Sequence, residues 1–289
     1  MREPAVSFVG IGAIGLPMAR RLVDAGHRTT GVDRLPAAIE RACAAGVPAV
    51  SSLGEAPPAE FVVVMVATPD QFEALVTEAL AGAVTGQRWI VMSTVGPESI
   101  RAQAARLTDA GAAVIDVPVT GGVARARTGE LTLFASGSPA DIAAARPVLD
   151  PLGVVREVGD AVGDGQAIKV VNQHLCSIHI VAAAEALALA DALGLDQRKV
   201  LSLVEQGAAG SWMLSDRGPR MLQGTDVEVA SSIGIFVKDS GLVAEAARAV
   251  AAQTPLLDVA RDRYTQAAEA GLTARDDSRV IETYLAKSQ

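Results

Sequence analysis

Ala5-Val6-Ser7-Phe8-Val9-Gly10-Ile11-Gly12-Ala13-Ile14-Gly15 is the stretch that decides the fold. A short apolar strand runs directly into GxGxxG, and residues 16–25 continue as a helix closed by Gly26. Strand, glycine turn and helix in that order make a dinucleotide-binding unit: glycines bring the backbone close to a pyrophosphate, and the amides opening the helix face it. Gly10, Ile11, Gly12, Ala13, Ile14 and Gly15 are therefore the candidate pyrophosphate turn. A second strand over 29–32 ends at Asp33, 18 residues past Gly15, where a carboxylate accepts hydrogen bonds from the adenosine ribose of NAD. The same charge repels the 2′-phosphate of NADP, so NAD is the expected cofactor, with Arg34 leaving room for tolerance of NADP.

Outward from this turn the pattern repeats with the period of a doubly wound α/β fold. Helices are expected over 37–45, 70–81 and 140–149, and strands over 61–66, 89–92, 113–116, 131–135 and 154–157. Ser93-Thr94 stands at the carboxyl end of a strand, the edge where open parallel sheets bind ligands. Two readings of Thr94 stand side by side: contact with the nicotinamide half of the cofactor, or the N-cap of a helix starting near Pro97. Thr120-Gly121-Gly122 follows the next strand. It is either a nest of amides suited to a carboxylate or an ordinary glycine turn. Arg125 and Arg127 either add charge to that anion site or are solvated.

Past Gly163 the texture changes to Ala/Leu-rich helices, expected over 166–193, 197–206, 239–253 and 255–269, with Asp196 and Thr254 as N-caps. Two domains follow from this change, 1–164 and 165–289, the first α/β and the second all-α. Lys169, Asn172 and Gln173 share one face at the start of the long helix. Near the positive end of the macrodipole, and partly buried, Lys169 is expected to have a lowered pKa suited to proton transfer. The alternative is a solvated lysine beside two surface amides. The segments at 211–214 and 217–222 read as a connection, and Lys238 lies near the start of the next helix.

Composition closes off other classes. The chain has 289 residues, 50% of them apolar, and a net charge of -8 with no dense Lys/Arg run, which argues against a nucleic-acid surface. Cys43 and Cys176 are far apart and His27, His174 and His179 lack ligand spacing, so neither a disulfide framework nor a metal site is expected. No signal-type segment is seen at the N-terminus, and a cytoplasmic location is expected. The long apolar helix carries Lys169, His174, His179, Glu185 and Asp191, and reads as a buried core helix rather than a membrane span.

Gly10, Gly12 and Gly15, the run Asp116-Val117-Pro118-Val119-Thr120-Gly121-Gly122, then Gly163-Asp164-Gly165 with Lys169 and Asn172, and finally Lys238-Asp239 together resemble the 3-hydroxyisobutyrate dehydrogenase, or β-hydroxyacid dehydrogenase, family over nearly the whole chain. The resemblance implies an N-terminal Rossmann domain and a C-terminal helical domain joined by the long helix, assembled as a homodimer or homotetramer. It implies a small carboxylate substrate, with Lys169 as general acid/base, Asn172 holding the substrate, the Thr120-Gly121-Gly122 turn binding its carboxylate, and Thr94 and Lys238 touching cofactor. Gly129-Glu130-Leu131-Thr132, Ser211-Trp212-Met213 and Ile235-Phe236-Val237-Lys238-Asp239 are most similar to the L-threonate dehydrogenase branch, whose substrates are four-carbon sugar acids. Departures fall at Gln173, where a second asparagine is frequent, and at Thr120, where serine is usual; both bear on substrate choice and make Gln173 a candidate substrate contact. Ala67-Thr68 replaces a frequent Pro-Asp pair, which bears on cofactor packing at Val66 and Ala67. Alternatives are a 3-hydroxyisobutyrate dehydrogenase, a tartronate semialdehyde or glyoxylate-type reductase, an imine reductase, and a non-enzymatic binding module. The last two are opposed by Lys169, and the module also by the intact glycines.

Overall fold

The structure is a computed structural model that describes residues 4–224 and 226–285. It comprises two compact units, Met1–Lys169 and Val170–Gln289.

In the first unit, β1 (Ala5–Val9), β2 (Arg28–Val32), β3 (Ala49–Val50), β4 (Phe61–Val64), β5 (Arg88–Val91) and β6 (Ala113–Asp116) form a parallel sheet in the order β3-β2-β1-β4-β5-β6. The connections are α1 (Gly15–Asp24), α2 (Pro36–Ala44), α3 (Pro69–Ala79) and α4 (Pro97–Asp109). Successive strand residues point to opposite faces, and both faces are apolar: Phe61, Val63 and Ile90 join a core with Met18 and Leu22, while Val62, Val64, Trp89 and Val91 join one with Phe72, Ile100 and Leu107. A parallel sheet buried on both faces needs such unbroken apolar strands. Beyond β6 come β7 (Val119–Thr120), α5 (Gly122–Thr128), β8 (Leu131–Ser136), α6 (Pro139–Leu149) and β9 (Gly153–Gly159). β8 runs antiparallel to β6 and β7 and parallel to β9.

The second unit is helical, built from most of α7 (Asp164–Ala192), then α8 (Gln197–Val204), α9 (Trp212–Met221), α10 (Ile233–Ala249), α11 (Pro255–Ala267) and a 3₁₀ segment over Asp277–Thr283. Its core gathers Ile180, Ala184 and Leu187 of α7 with Met213, Phe236 and Tyr264. The Phe236 and Tyr264 rings stack at 5.3 Å, and Tyr264 Oη donates to the Ser177 carbonyl at 2.9 Å. α7 is long and apolar enough to cross a membrane, yet one of its sides is buried through Gln173, Ser177, Ile180 and Ala184. Its other side exposes Ile168, Val171, Leu175 and Leu189.

Three sequence expectations are corrected. Residues 212–221 form α9 rather than a connection: Ser211 Oγ accepts from Leu214 N at 3.0 Å, and Gly218, which breaks the apparent pattern, lies where a Cβ would meet Leu201 of α8. α10 starts at Ile233, not 239, capped by Ser232, so Lys238 lies in its second turn. Asp196 caps α8 through bonds from Arg198 N and Lys199 N, but Thr254 makes no side-chain cap on α11.

Candidate active site

The glycine turn after β1 shows three separate steric demands. Gly10 has φ 90°, and a Cβ there would meet the Met65 carbonyl of the neighbouring strand end. A Cβ on Gly15 would run into the Gly10 carbonyl and the Phe8 ring, so α1 can lie against β1 only without it. At Gly12 a Cβ would meet nothing within 4 Å. The absence of a side chain there has no use inside the protein, and what it leaves uncovered is the backbone a pyrophosphate approaches. Ile11 is buried and packs toward Gly31 of β2, while Ala13 and Ile14 complete the turn, Ile14 as N-cap of α1 without a side-chain cap.

Asp33 lies just past the end of β2. Its carboxylate accepts from Ile11 N at 3.2 Å and from Leu35 N at 3.0 Å, which aims it at the glycine turn. A groove of about 400 Å³ opens here, lined by Gly10, Gly12, Asp33, Arg34, Val66 and Ala67 among others. The Ala67 amide is held by Gln71 Oε1 at 2.8 Å. Arg34 reaches Glu78 at 2.9 Å, and Glu78 lines the same groove. The groove thus carries two carboxylates, Asp33 and Glu78, and one guanidinium, Arg34, which is paired with Glu78. The residues present fit an adenosine ribose with free hydroxyls. Sequence reading missed Ser51, Gln71 and Glu78 of this groove, which come from elements brought together only by folding.

At the carboxyl ends of β5 and β6 a buried polar network appears that sequence reading did not assign. Gln166, fully buried, uses all four hydrogen-bonding positions of its side chain: Oε1 accepts from Val95 N and Gly96 N, both at 3.0 Å, and Nε2 donates to Ser93 O and to Asp116 Oδ1, both at 2.9 Å. Asp116 Oδ2 accepts from Gln166 N at 2.8 Å, Gly163 N at 3.2 Å and Ser136 Oγ at 3.4 Å, and Ser136 Oγ accepts from Gly165 N at 2.9 Å. Burial pushes the Asp116 carboxyl up to about 6, while its hydrogen bonds, led by the Gln166 side chain, pull the other way. The signal was a carboxylate closing an otherwise apolar strand. Thr94 lies inside this region and is not a helix cap, because Gly96 holds the N-cap position of α4.

Gly121 and Gly122 have φ of 133° and 70°; Gly121 is the N-cap of α5. The Arg125 side chain lies over Gly121, whereas nothing comes within 4 Å of a Cβ on Gly122. Arg127 instead lines a separate groove of about 550 Å³ along α1 with Arg20, Arg21 and Arg41.

Lys169 is the sixth residue of α7 and 7% exposed; it closes the first unit, and Asn172 and Gln173 open the second on the same helix. Asn172 Nδ2 donates to Gln173 Oε1 at 2.9 Å and to Cys176 Sγ at 3.4 Å. Gln173 Nε2 donates to Asp239 Oδ2, and Asp239 Oδ1 pairs with Lys238 Nζ at 2.8 Å. Gln173, Asp239 and Lys238 are thereby tied together, with the Gln173 amide directed at Asp239.

A dinucleotide turn on a parallel sheet, an acidic residue at the end of β2 and an appended helical unit define an NAD(P)-dependent oxidoreductase. Comparison with known proteins narrows this class. Residues 5–163 match the NAD binding domain of 6-phosphogluconate dehydrogenase, and residues 163–284 match the NAD-binding domain of NADP-dependent 3-hydroxyisobutyrate dehydrogenase. The chain is 34% identical to an L-threonate dehydrogenase of Haemophilus influenzae, over 97% of this chain and 95% of the relative, and 35% identical to one of Cupriavidus necator, over 96% and 95%. A crystal structure of 3-hydroxyisobutyrate dehydrogenase from Salmonella typhimurium superposes with a TM-score of 0.89 at 34% identity, covering 97% of this chain and all of that one. The chain belongs to the 3-hydroxyisobutyrate dehydrogenase, or β-hydroxyacid dehydrogenase, family and is an NAD(P)-dependent hydroxyacid dehydrogenase.

Proposed function

We propose that this enzyme oxidises a four-carbon sugar acid of the L-threonate type, prefers NAD over NADP, and uses Lys169 as its general base. The observation that carries the chemistry is a lysine nine-tenths buried in the second turn of α7, in a chain whose histidines form no comparable constellation. Oxidising a secondary alcohol removes a hydride from carbon and a proton from oxygen. NAD, when bound, supplies the hydride acceptor. Lys169 takes the hydroxyl proton, and in the reverse direction its ammonium returns that proton and stabilises the charge developing on the carbonyl oxygen. Asn172, one turn further along α7, orients the hydroxyl. The amides of Gly121 and Gly122, beside Thr120, receive the substrate carboxylate, a role supported by the open space before Gly122. Gln173 shapes the substrate site through its bonds to Asn172 and Asp239, and Thr94 and Lys238 contact cofactor. Preference for NAD is supported by Asp33 and Glu78 in the groove that carries Arg34.

The four-carbon sugar acid is supported by identity of 34–35% to L-threonate dehydrogenases along 95% of their length. The exposed apolar stripe of α7 at Ile168, Val171, Leu175 and Leu189 supports a homo-oligomer in which a second copy covers it, and the buried opposite side supports α7 as a core helix rather than a membrane span, in keeping with a cytoplasmic enzyme. A panel of L-threonate, D-erythronate, 3-hydroxyisobutyrate, glycerate and 4-hydroxybutyrate, scored by NADH formation, tests the assignment. The highest kcat/KM is expected for L-threonate. A clear preference for 3-hydroxyisobutyrate moves the enzyme to the other branch.

A further inference from the structure

We infer that Asp116 and Gln166 are positioning residues that act through Lys169, an inference that rests on the reading of Lys169 as the base. Amides in the first turn of a helix have no partner within the helix. Here the amides of Gly163, Gly165 and Gln166 are received by Asp116 and Ser136, which come from the ends of β6 and β8. A carboxylate at this pole also complements the helix dipole. The close approach depends on Gly165, where a Cβ would meet Phe134 O at 2.6 Å and Asp116 Oδ2 at 2.9 Å. Lys169 lies one turn beyond Gln166, so its backbone position is set by this anchorage. The same Gln166 side chain grips the amides of Val95 and Gly96 and the carbonyl of Ser93, on both sides of Thr94. One buried amide therefore ties the segment proposed to meet the cofactor to the helix turn that leads to the proposed base.

The donor and acceptor pattern leaves no freedom. Val95 N and Gly96 N require an acceptor, which turns the amide of Gln166 so that Nε2 faces Asp116 Oδ1. That oxygen must accept, and Asp116 Oδ2 meets three further donors, so only an acceptor-only side chain satisfies all of them. Asp116→Asn places a donor against a donor: either at Gln166 Nε2 or at the α7 amides. The mismatch is relieved only by shifting the start of the helix. This network is complete within the protein, and its members act by holding the start of α7 rather than by touching the reacting atoms.

The experiment is a double-mutant cycle on the full chain: Asp116→Asn and Gln166→Met, each alone and each combined with Lys169→Ala. The readouts are kcat, KM, NADH affinity from fluorescence titration, and thermal unfolding. In the wild-type background each variant is expected to lower kcat about tenfold or more, since a displacement on the order of 1 Å is costly, while KM changes less than about threefold in both and NADH Kd changes less than about threefold in Asp116→Asn, which keeps the Gln166 side chain that holds Ser93, Val95 and Gly96. In the Lys169→Ala background neither is expected to lower kcat further, because the group being positioned is gone. A full loss that persists in that background, or an unchanged kcat in the single variants, overturns the inference. Near-normal turnover of Lys169→Ala by itself removes the base assignment and the inference with it, and is recognised from that one variant. If Asp116→Asn fails to fold, Ser136→Ala, which deletes the acceptor for Gly165 N and the hydroxyl donor to Asp116 Oδ2, carries the same cycle with an expected loss of about threefold.

Discussion

Asp116 in the first unit and Asp277 in the second are both fully buried, and the chain accommodates them by different means. Asp116 is surrounded by neutral donors: two backbone amides, a side-chain amide and a hydroxyl. Asp277 faces a guanidinium, with Arg217 Nε and Nη2 reaching its two oxygens at 2.8 to 3.3 Å, and Arg220 approaching at 3.7 Å. Burial raises the carboxyl of both, Asp277 being pulled back by Arg217 and raised further by its neighbour Asp276. The difference teaches what each is for. A counter-charge clamps the C-terminal 3₁₀ segment onto α9 and serves the scaffold. Oriented dipoles hold a carboxylate without bringing a second charge beside the residues proposed to do the chemistry.

The largest expected effect breaks the charged side of this comparison. Arg217→Ala leaves Asp277 buried without its main partner, and removing one member of a buried pair typically destabilises by about 3–5 kcal/mol. Chemical denaturation should show a loss of that size; a loss below about 1 kcal/mol would mean that Asp277 regains water or another partner.

The dipole side makes a prediction in pH. The Asp116 carboxyl is raised to about 6 from an ordinary 3.8, so the folded state holds its proton more tightly than the unfolded state does. Its contribution to stability is therefore fully present below about pH 4 and is lost as pH rises through about 6, a change of about 3 kcal/mol. Asp116→Asn, which cannot titrate, should flatten the stability profile between those limits relative to the wild type. Parallel profiles for the two proteins would contradict a raised Asp116.

A third test concerns the backbone-built half of the site. Gly12→Ala adds a methyl that meets no protein atom, so thermal stability should hardly move while NADH affinity falls about tenfold, or about 1.4 kcal/mol. Equal losses of both would show that Gly12 serves the fold. Smaller again is Asp33→Ser, which should narrow the ratio of kcat/KM for NAD over NADP severalfold, as a repulsive charge at the groove is removed. A ratio that stays put, or that already favours NADP in the wild type, would contradict the role given to Asp33.

Legibility followed the same divide. Strand, glycine turn, helix and Asp33 could be read because each requirement is local: Gly10 and Gly15 answer to neighbours within one βα unit and the adjacent strand end, and Gly12 lies in the same turn with no protein atom near its missing side chain. The Asp116 and Gln166 network joins residues 50 apart in sequence, and no periodicity announces it. α9 was misread because Gly218 and Pro219 resemble a turn, whereas Gly218 makes room for Leu201 and Pro219 lies near the helix C-terminus. The start of α10 was missed because Gly234 hid the capping role of Ser232. On α7 the sequence placed Lys169, Asn172 and Gln173 together, but that the Gln173 amide turns to Asp239 depends on a residue 66 positions away.

The central claim is that Lys169 moves the proton. Using the best acid from the substrate panel, kcat and NADH affinity should be measured for Lys169→Ala beside the wild type. The account predicts a fall in kcat of roughly 10²-fold or more with NADH Kd nearly unchanged, and a comparable fall for Lys169→Arg, whose guanidinium does not deprotonate at working pH. An alanine variant that turns over at close to the wild-type rate would contradict it.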